Sequence, residues 1–342
     1  MAHAGRELVG GVSAGIGDEE FSRLTEPFRR ELLAHCYRML GSVHDAQDVV
    51  QETYLRAWRG FDRFEGRSSV RRWLYRIATT ACLTALERRA RRPLPSGLGA
   101  PADDHRVPVA AGEPSVPWLQ PLPDALLGAD DPAAIAAGRA GVRLALIAAL
   151  QLLPARQRAV LTLRDVLAFR TAEVAEIMGT TDAAVDSALR RARARLRAAG
   201  PVPDEQVEPA GGLPRALLVA YVEAFARADA EALVELLRAD VELEMPPTPT
   251  WFTGRPAVVG FLGARVLRRP GYWRLVPTGA NGQPAAVSYE RGDDGRWIPH
   301  GVFVLTVREG RIARITAFND PALVPLFGPA PDHPAQPSRH PG

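Results

Sequence analysis

The sequence predicts a multidomain chain: two all-α units followed by one α+β unit. Three observations carry that expectation. Apolar residues recur at helical spacing over residues 21–92 and again over 133–199. Strand-like runs are confined to the last third of the chain. Proline- and acid-rich stretches at 93–132 and 200–212 separate the units. A chain of 342 residues at about 150 residues per domain gives two or three domains.

Residues 1–20 and 329–342 are expected to be disordered tails. In the first unit, Phe28, Leu32, Leu33, Cys36, Tyr37 and Leu40 mark one helix, which Gly41-Ser42 closes. Asp45 opens a second helix that runs to about Phe61. Gly66-Arg67-Ser68-Ser69 is a short loop, and Val70 to about Arg89 is a third long helix. The stretch 93–132 should hold little regular structure, although its apolar Val116-Pro117-Trp118-Leu119 should dock onto something. In the second unit, Leu152-Leu153-Pro154 breaks the helical pattern, with Pro154 placed for a helix N-terminus. Thr171–Met178, a turn at Gly179-Thr180-Thr181, and Asp182–Arg197 form a helix-turn-helix pattern. In the third unit (213–328), helices at 213–228 and 229–238 precede strands at 241–245, 284–290, 297–307 and 311–318.

Charge is distributed unevenly. Residues 21–95 hold 15 arginines against 8 carboxylates, and residues 141–200 hold 10 against 5. Residues 96–140 between them hold 2 against 6. Two basic blocks joined by an acidic stretch suggest two nucleic-acid contacts. There is no lysine. Every basic contact is therefore a guanidinium, the better bidentate and stacking group, although a GC-rich coding sequence would give the same bias. No long uncharged apolar run suggests a membrane span, and the start lacks a basic segment followed by an apolar one. A cytoplasmic protein is expected. Cys36 and Cys82 offer neither metal spacing nor a disulfide framework and should be buried, reduced thiols. No cofactor or metal is implied.

Two constellations point to chemistry. Asp45, Asp48 and Glu52, with Gln51 beside them, fall on one stripe of a helix. Alone, such a stripe fits a solvated face. It is followed at once by aromatics interleaved with arginines: Phe61, Arg63, Phe64, Arg67, Ser68, Arg71, Arg72, Trp73, Tyr75 and Arg76. Such groups stack on unpaired bases and hold the backbone, at about 1–3 kcal/mol per stacked base. In the helix-turn-helix, Val174, Ile177, Val185, Leu189, Ala192 and Leu196 make the inward face. Thr180, Thr181, Ala183, Ala184, Ser187, Arg190 and Arg191 are left to meet a major groove, with Arg193, Arg195 and Arg197 near phosphates. The same pattern also fits an ordinary solvated helix with a basic face.

Asp45-Ala-Gln-Asp48-Val-Val-Gln51-Glu52-Thr-Tyr-Leu-Arg-Ala-Trp58 resembles the region 2 signature of bacterial RNA polymerase sigma factors. The run from Phe64 to Thr79 resembles the promoter-melting part of that region. Leu153-Pro154-Ala-Arg-Gln157-Arg158-Ala-Val160-Leu161 and the helix-turn-helix behind it resemble region 4. The short two-domain form is similar to the extracytoplasmic-function group. The stretches 245–262, Gly292-Asp-Asp-Gly-Arg296 and 315–328 resemble the SnoaL-like branch of the nuclear-transport-factor-2-like superfamily, and Val116 to Leu122 fits the linker of sigma factors with that appendage.

The resemblance implies a region 2 helical bundle, a region 4 helix-turn-helix and a curved sheet wrapped by helices around a cone-shaped pocket. It implies that Asp45, Asp48, Gln51 and Glu52 bind the clamp helices of the largest subunit of core RNA polymerase. Segment 61–76 would take the promoter −10 element, and residues 180–193 the −35 element. The linker would thread toward the polymerase active-site channel. Primary sigma factors carry a tryptophan pair at the melting wedge, where this chain has Trp73-Leu74. In the last domain, Trp251, Trp273 and Tyr289 could wall a pocket. His300, Glu242, Glu244 and Asp320 are available as acid–base groups, but no pairing follows from the sequence. A non-catalytic domain that senses a ligand or regulates in cis is expected. The alternatives are a ligand-responsive helix-turn-helix regulator working without polymerase, and a small-molecule isomerase or cyclase.

Overall fold

The computed structural model describes residues 13–64, 69–87, 91–106, 108–110, 112–113, 115–128, 141–198 and 212–328. Arg67 and Ser68, residues 1–12 and 329–342, and most of the 200–212 linker lie outside the described residues.

The first helix, α1 (Ser13–Thr25), begins inside the stretch expected to be a disordered tail. Phe21 anchors it, edge-on to Tyr54, Trp58 and Phe61 at centroid distances of 5.3–6.3 Å. Then come α2 (Arg29–Leu40), α3 (Val43–Gly60) and α4 (Val70–Glu87). Gly41 ends α2 in the left-handed conformation (φ 68°), which glycine adopts without steric cost, and the Ser42 hydroxyl caps α3 by accepting from the Asp45 amide. Cys36 and Cys82 are both buried and unbridged.

The second unit holds α5 (Leu144–Leu150), α6 (Ala155–Leu161), α7 (Thr171–Met178) and α8 (Asp182–Ala198). Pro154 is the N-cap of α6. Gly179 turns at φ 60°, and the Thr181 hydroxyl accepts from the Ala184 amide at 3.3 Å. Val174, Ile177, Val185, Leu189 and Ala192 are buried.

The third unit opens with α9 (Gly212–Arg227) and α10 (Ala230–Leu236). Its strands are β1 (Leu237–Glu244), β2 (Trp251–Thr253), β3 (Trp273–Ala280), β4 (Gln283–Arg291), β5 (Trp297–Arg308) and β6 (Arg311–Phe318), with α11 (Arg255–Phe261) between β2 and β3. The sheet order is β2-β1-β6-β5-β4-β3; β1 and β6 run parallel and the other neighbours antiparallel. Irregular register at Ser288/Tyr289 and at Thr306/Val307 bends the sheet.

Strand alternation gives the sheet two apolar faces. Leu243, Phe303, Ile315 and Ala317 face α9 and α11. Ala285, Val302, Val304 and Phe318 face the other way and join one core with Tyr37, Leu122, Val142 and Leu144. The three units therefore share a continuous core rather than hanging on free tethers. The linker is part of it: Leu94, Leu119 and Leu122 are buried, and full burial of a leucine side chain is worth about 1.5–3 kcal/mol.

Candidate nucleic-acid interface and carboxy-terminal cavity

Asp48 and Gln51 are exposed on α3. Glu52 pairs with Arg56 one turn on, at 2.6 Å. Two residues passed over in the sequence join this stripe: Leu55 and Trp58 are 44% and 41% exposed. They lie at helical spacing from Asp48 and Gln51, which was the available signal. Asp45 is different. Its side chain is only 14% exposed and is bound at 2.6 Å by Arg92, whose other nitrogen donates to the Trp118 carbonyl. Asp45 fastens the linker.

The melting segment divides in the same way. Phe64 stacks on Trp73 (centroids 4.6 Å, 27°), and Arg63 and Arg76 are exposed. Phe61 is engaged with Phe21. Arg71 forks onto Glu31 at 2.9 and 3.1 Å and lies over Phe169, 4.5 Å from the ring centroid. Arg72 pairs with Glu176 of α7 at 3.1 Å. Tyr75 meets Phe169 edge-on at 5.0 Å. The helix-turn-helix unit thus packs on the arginine-bearing side of α4. Leu74 is wholly buried.

On α8, Ala183, Ala184, Arg190 and Arg191 are exposed, as are Thr180 and Thr181 in the turn before it. Arg191 donates to the half-buried Ser187 at 2.5 Å. Arg193 forms a two-point pair with Asp165 at 2.7 and 2.9 Å, which ties α8 to the turn preceding α7. Its guanidinium already has a protein partner.

One turn of the third unit touches both of the others. Asn281-Gly282 joins β3 to β4, with Asn281 at φ 57° and Gly282 at φ 68°. Asn281 exchanges hydrogen bonds with the backbone of Leu122 at 2.9 Å, from its own amide and to its side-chain oxygen. Its Nδ2 donates to the Tyr37 hydroxyl (2.8 Å) and to the Val142 carbonyl (2.5 Å). One asparagine therefore touches the first unit, the linker and the second unit. The Gly282 amide donates to Asp124 at 2.7 Å, and the Leu144 amide to Gln283 at 3.2 Å. The third unit therefore meets the acidic linker directly. The basic side of α4 is covered by α7.

Between the concave side of the sheet and α9–α11 lies a cavity of about 250 Å³. Trp273 and His300 line it. Trp251 and Tyr289 do not. The Trp251 indole donates to the Gly99 carbonyl at 2.9 Å and holds the linker, and strand alternation turns Tyr289 to the far face with Val287 and Val324. The His300 ring meets Trp273 edge-on, its Nε2 sits 3.1 Å from the Asn319 side-chain oxygen, and burial lowers its pKa. Glu242 pairs with Arg314 on the outer face, where the fully buried Glu244 accepts from the Ser96 amide. Asp320 caps the final turn. None of these three carboxylates is among the groups that line the cavity.

Models of sigma-70 region 2, of sigma-70 region 4 and of a SnoaL-like domain match residues 24–92, 143–196 and 218–315. The chain is 48% identical over 311 residues to the ECF RNA polymerase sigma factor SigG of Mycobacterium tuberculosis, covering 90% of this chain and 84% of that one. This chain is an extracytoplasmic-function (ECF) RNA polymerase sigma factor. It is also 30% identical to SigJ of the same organism, over 86% of this chain and 90% of SigJ. The crystal structure of SigJ has the same fold, with a TM-score of 0.54 at 24% identity over 89% of this chain and 97% of that one. Region 2 thus holds α2–α4, region 4 holds the helix-turn-helix, and the SnoaL-like domain is the curved sheet with its helices. Among the described residues, no helix is long and apolar enough to cross a membrane, and no cluster of histidine, cysteine and carboxylate side chains could hold a metal.

Proposed function

We propose that this sigma factor directs core RNA polymerase to specific promoters, and that its SnoaL-like domain holds it closed in cis until polymerase engages it. Asp48, Gln51 and Glu52, with Leu55 and Trp58, form the face for the clamp helices. Asp45 supports that face by fixing the linker. Phe64 and Trp73, with Arg63, Arg67, Ser68 and Arg76, take the unpaired −10 bases, joined by Arg71 and Arg72 once the chain opens. Residues 180–191 read the −35 element, and Arg193 sets the angle of α8 through Asp165.

The observation that carries the closed state is the Arg72–Glu176 contact between regions 2 and 4. Elements named for positions −10 and −35 are about 25 base pairs apart, and at about 3.4 Å per pair that is roughly 85 Å. Two helices in contact cannot read both. The Asn281 turn joins region 2, the linker and the segment leading to region 4, so releasing it is the step that frees them.

The SnoaL-like domain serves this role without turnover. His300 is oriented toward an amide, and the carboxylate that shares the cavity with it, Glu290, is engaged by the Tyr272 hydroxyl at 2.9 Å, while Glu242, Glu244 and Asp320 are committed to the outer face and the final turn.

Co-elution with purified core polymerase tests the reading. Asp48→Arg reverses an exposed charge without touching the core. It should cut binding by about tenfold or more, as losing a well-placed interface charge costs roughly 2 kcal/mol. Undiminished co-elution of this variant would remove the clamp assignment.

A further inference from the structure

The cavity in the SnoaL-like domain has the features of a small-molecule site, and the linker closes it. At about 30 Å³ per water in the liquid, its volume of about 250 Å³ equals roughly eight waters. That is the space of a one- or two-ring organic molecule. Phe225, Leu243, Phe261 and Phe303 supply apolar walls. The lining also holds charged and polar side chains, and these have partners within the protein: Glu290 accepts from the Tyr272 hydroxyl at 2.9 Å, Arg265 donates to the Arg106 carbonyl, Arg268 lies over the Tyr272 ring and His300 faces the Asn319 side-chain oxygen. Apolar walls beside committed polar groups favour a mainly apolar ligand, oriented by a polar group that is still free.

The polar group that selects the ligand is Tyr221 on α9. It lines the cavity, is 1% exposed, and its hydroxyl has no hydrogen-bond partner among the described residues. A buried hydroxyl without a partner is disfavoured by about 1–3 kcal/mol. A phenol can donate to an oxygen on a ligand. Burial raises the Tyr221 pKa, so the proton is retained.

The roof comes from outside the domain. Val109 of the linker lines the cavity. It is held on either side: Arg265 donates to the Arg106 carbonyl at 2.5 Å, and the Ala110 amide donates to the Thr250 hydroxyl at 3.1 Å. The same segment is tied further back, where the Ala102 amide donates to the Trp251 carbonyl at 2.8 Å.

We propose that this cavity binds a one- or two-ring organic molecule, uncharged in its buried part, whose accepting oxygen takes the Tyr221 hydroxyl proton in a hydrogen bond beneath Val109. The linker between regions 2 and 4 is thereby part of the ligand site. Binding itself requires neither polymerase nor promoter, so the transcription reading can fail while this one stands, and the reverse.

The test is calorimetric titration of the full chain with two probes matched in shape, 2-acetylnaphthalene and 2-ethylnaphthalene. The ketone should bind roughly tenfold more tightly, the discrimination of one buried hydrogen bond. In Tyr221→Phe, which removes only the oxygen, the preference should vanish while the melting temperature stays close to that of the parent chain. Val109→Trp, on the linker rather than in the core, should weaken both probes. Failure of both probes to bind, equal binding of the two by the parent chain, a ketone preference that survives Tyr221→Phe, or full binding by Val109→Trp would each overturn the proposal.

Discussion

His35 is wholly buried in α2, with Nε2 3.0 Å from the Thr79 hydroxyl of α4 and its ring edge-on to Tyr75 at 5.1 Å. Burial, reinforced by the neighbouring Arg38, lowers its pKa from 6.5 to about 3. The unfolded chain therefore binds one more proton than the folded one between those values. The neutral form is favoured by folding above pH 6.5, and that stability is lost as the pH falls toward 3. Urea unfolding at pH 6.5 and 4.5 should show His35 contributing a slope of about 1 kcal/mol per pH unit. His35→Gln keeps a hydrogen-bonding group toward Thr79 and should flatten the curve by that amount; an unchanged slope would contradict the assignment. Arginines carry a comparable lesson. Arg38 donates to the Gly141 carbonyl at 2.7 Å, and the buried Arg158 donates to the Met39 carbonyl and, at 2.8 Å, to Gln151. Both tie region 2 to the second unit. Residue type announces a possible DNA contact, but a guanidinium satisfies a buried carbonyl equally well.

At the scale of elements, the Asn281 turn is the hinge of the regulatory reading. Alanine at 281 would lose the side-chain bonds to Leu122, Tyr37 and Val142 and would have to hold φ 57°. Together these should cost about 2–4 kcal/mol. In the parent chain that energy favours the closed form, so Asn281→Ala should raise transcription from a matched promoter with purified core polymerase. Output equal to that of the parent would remove the cis brake. Deleting the whole domain is a poorer experiment, because Ala285, Val304 and Phe318 cover Tyr37 and Leu122 and their loss would expose that core. The sequence carries a signal for this turn that its reading passed over, since Asn-Gly between alternating runs is the strongest short hairpin signal. Pro277 and Gly279 hid β3, because both residues are poor strand formers; β3 is an edge strand, where they are tolerated. The helix-turn-helix was read in full, because its signals are local: a left-handed glycine, a threonine cap and a period of 3.6. The linker was expected to hold little regular structure and to dock through Val116–Leu119, and Leu119 is buried. Its composition describes its backbone well, with short turns and no long element, but composition says nothing about where Leu119 and Leu122 are buried.

At the scale of the whole molecule, the shared core sets the central equilibrium. A closed form that cannot reach both promoter elements must open, and the opening can be measured. Cys36 and Cys82 are buried, so cysteines placed at the exposed Thr80 of α4 and Arg195 of α8 should take fluorescent labels selectively. In Thr80→Cys, Arg195→Cys the two dyes should transfer energy efficiently in the free chain, where α4 and the helix-turn-helix touch. With core polymerase and promoter the labels should move apart toward the roughly 85 Å between the DNA elements, and transfer should be lost. Arg72→Ala removes a partly exposed pair worth about 0.2–1 kcal/mol. It should therefore shift the free chain toward opening by no more than about fivefold, whereas Asn281→Ala should shift it further. That order follows from burial: the arginine pair is partly solvated, while the asparagine bonds are enclosed by three units at once. If the free chain and the promoter complex gave equal transfer, the closed form would be the working form, and the Arg72–Glu176 contact would have to be compatible with DNA after all.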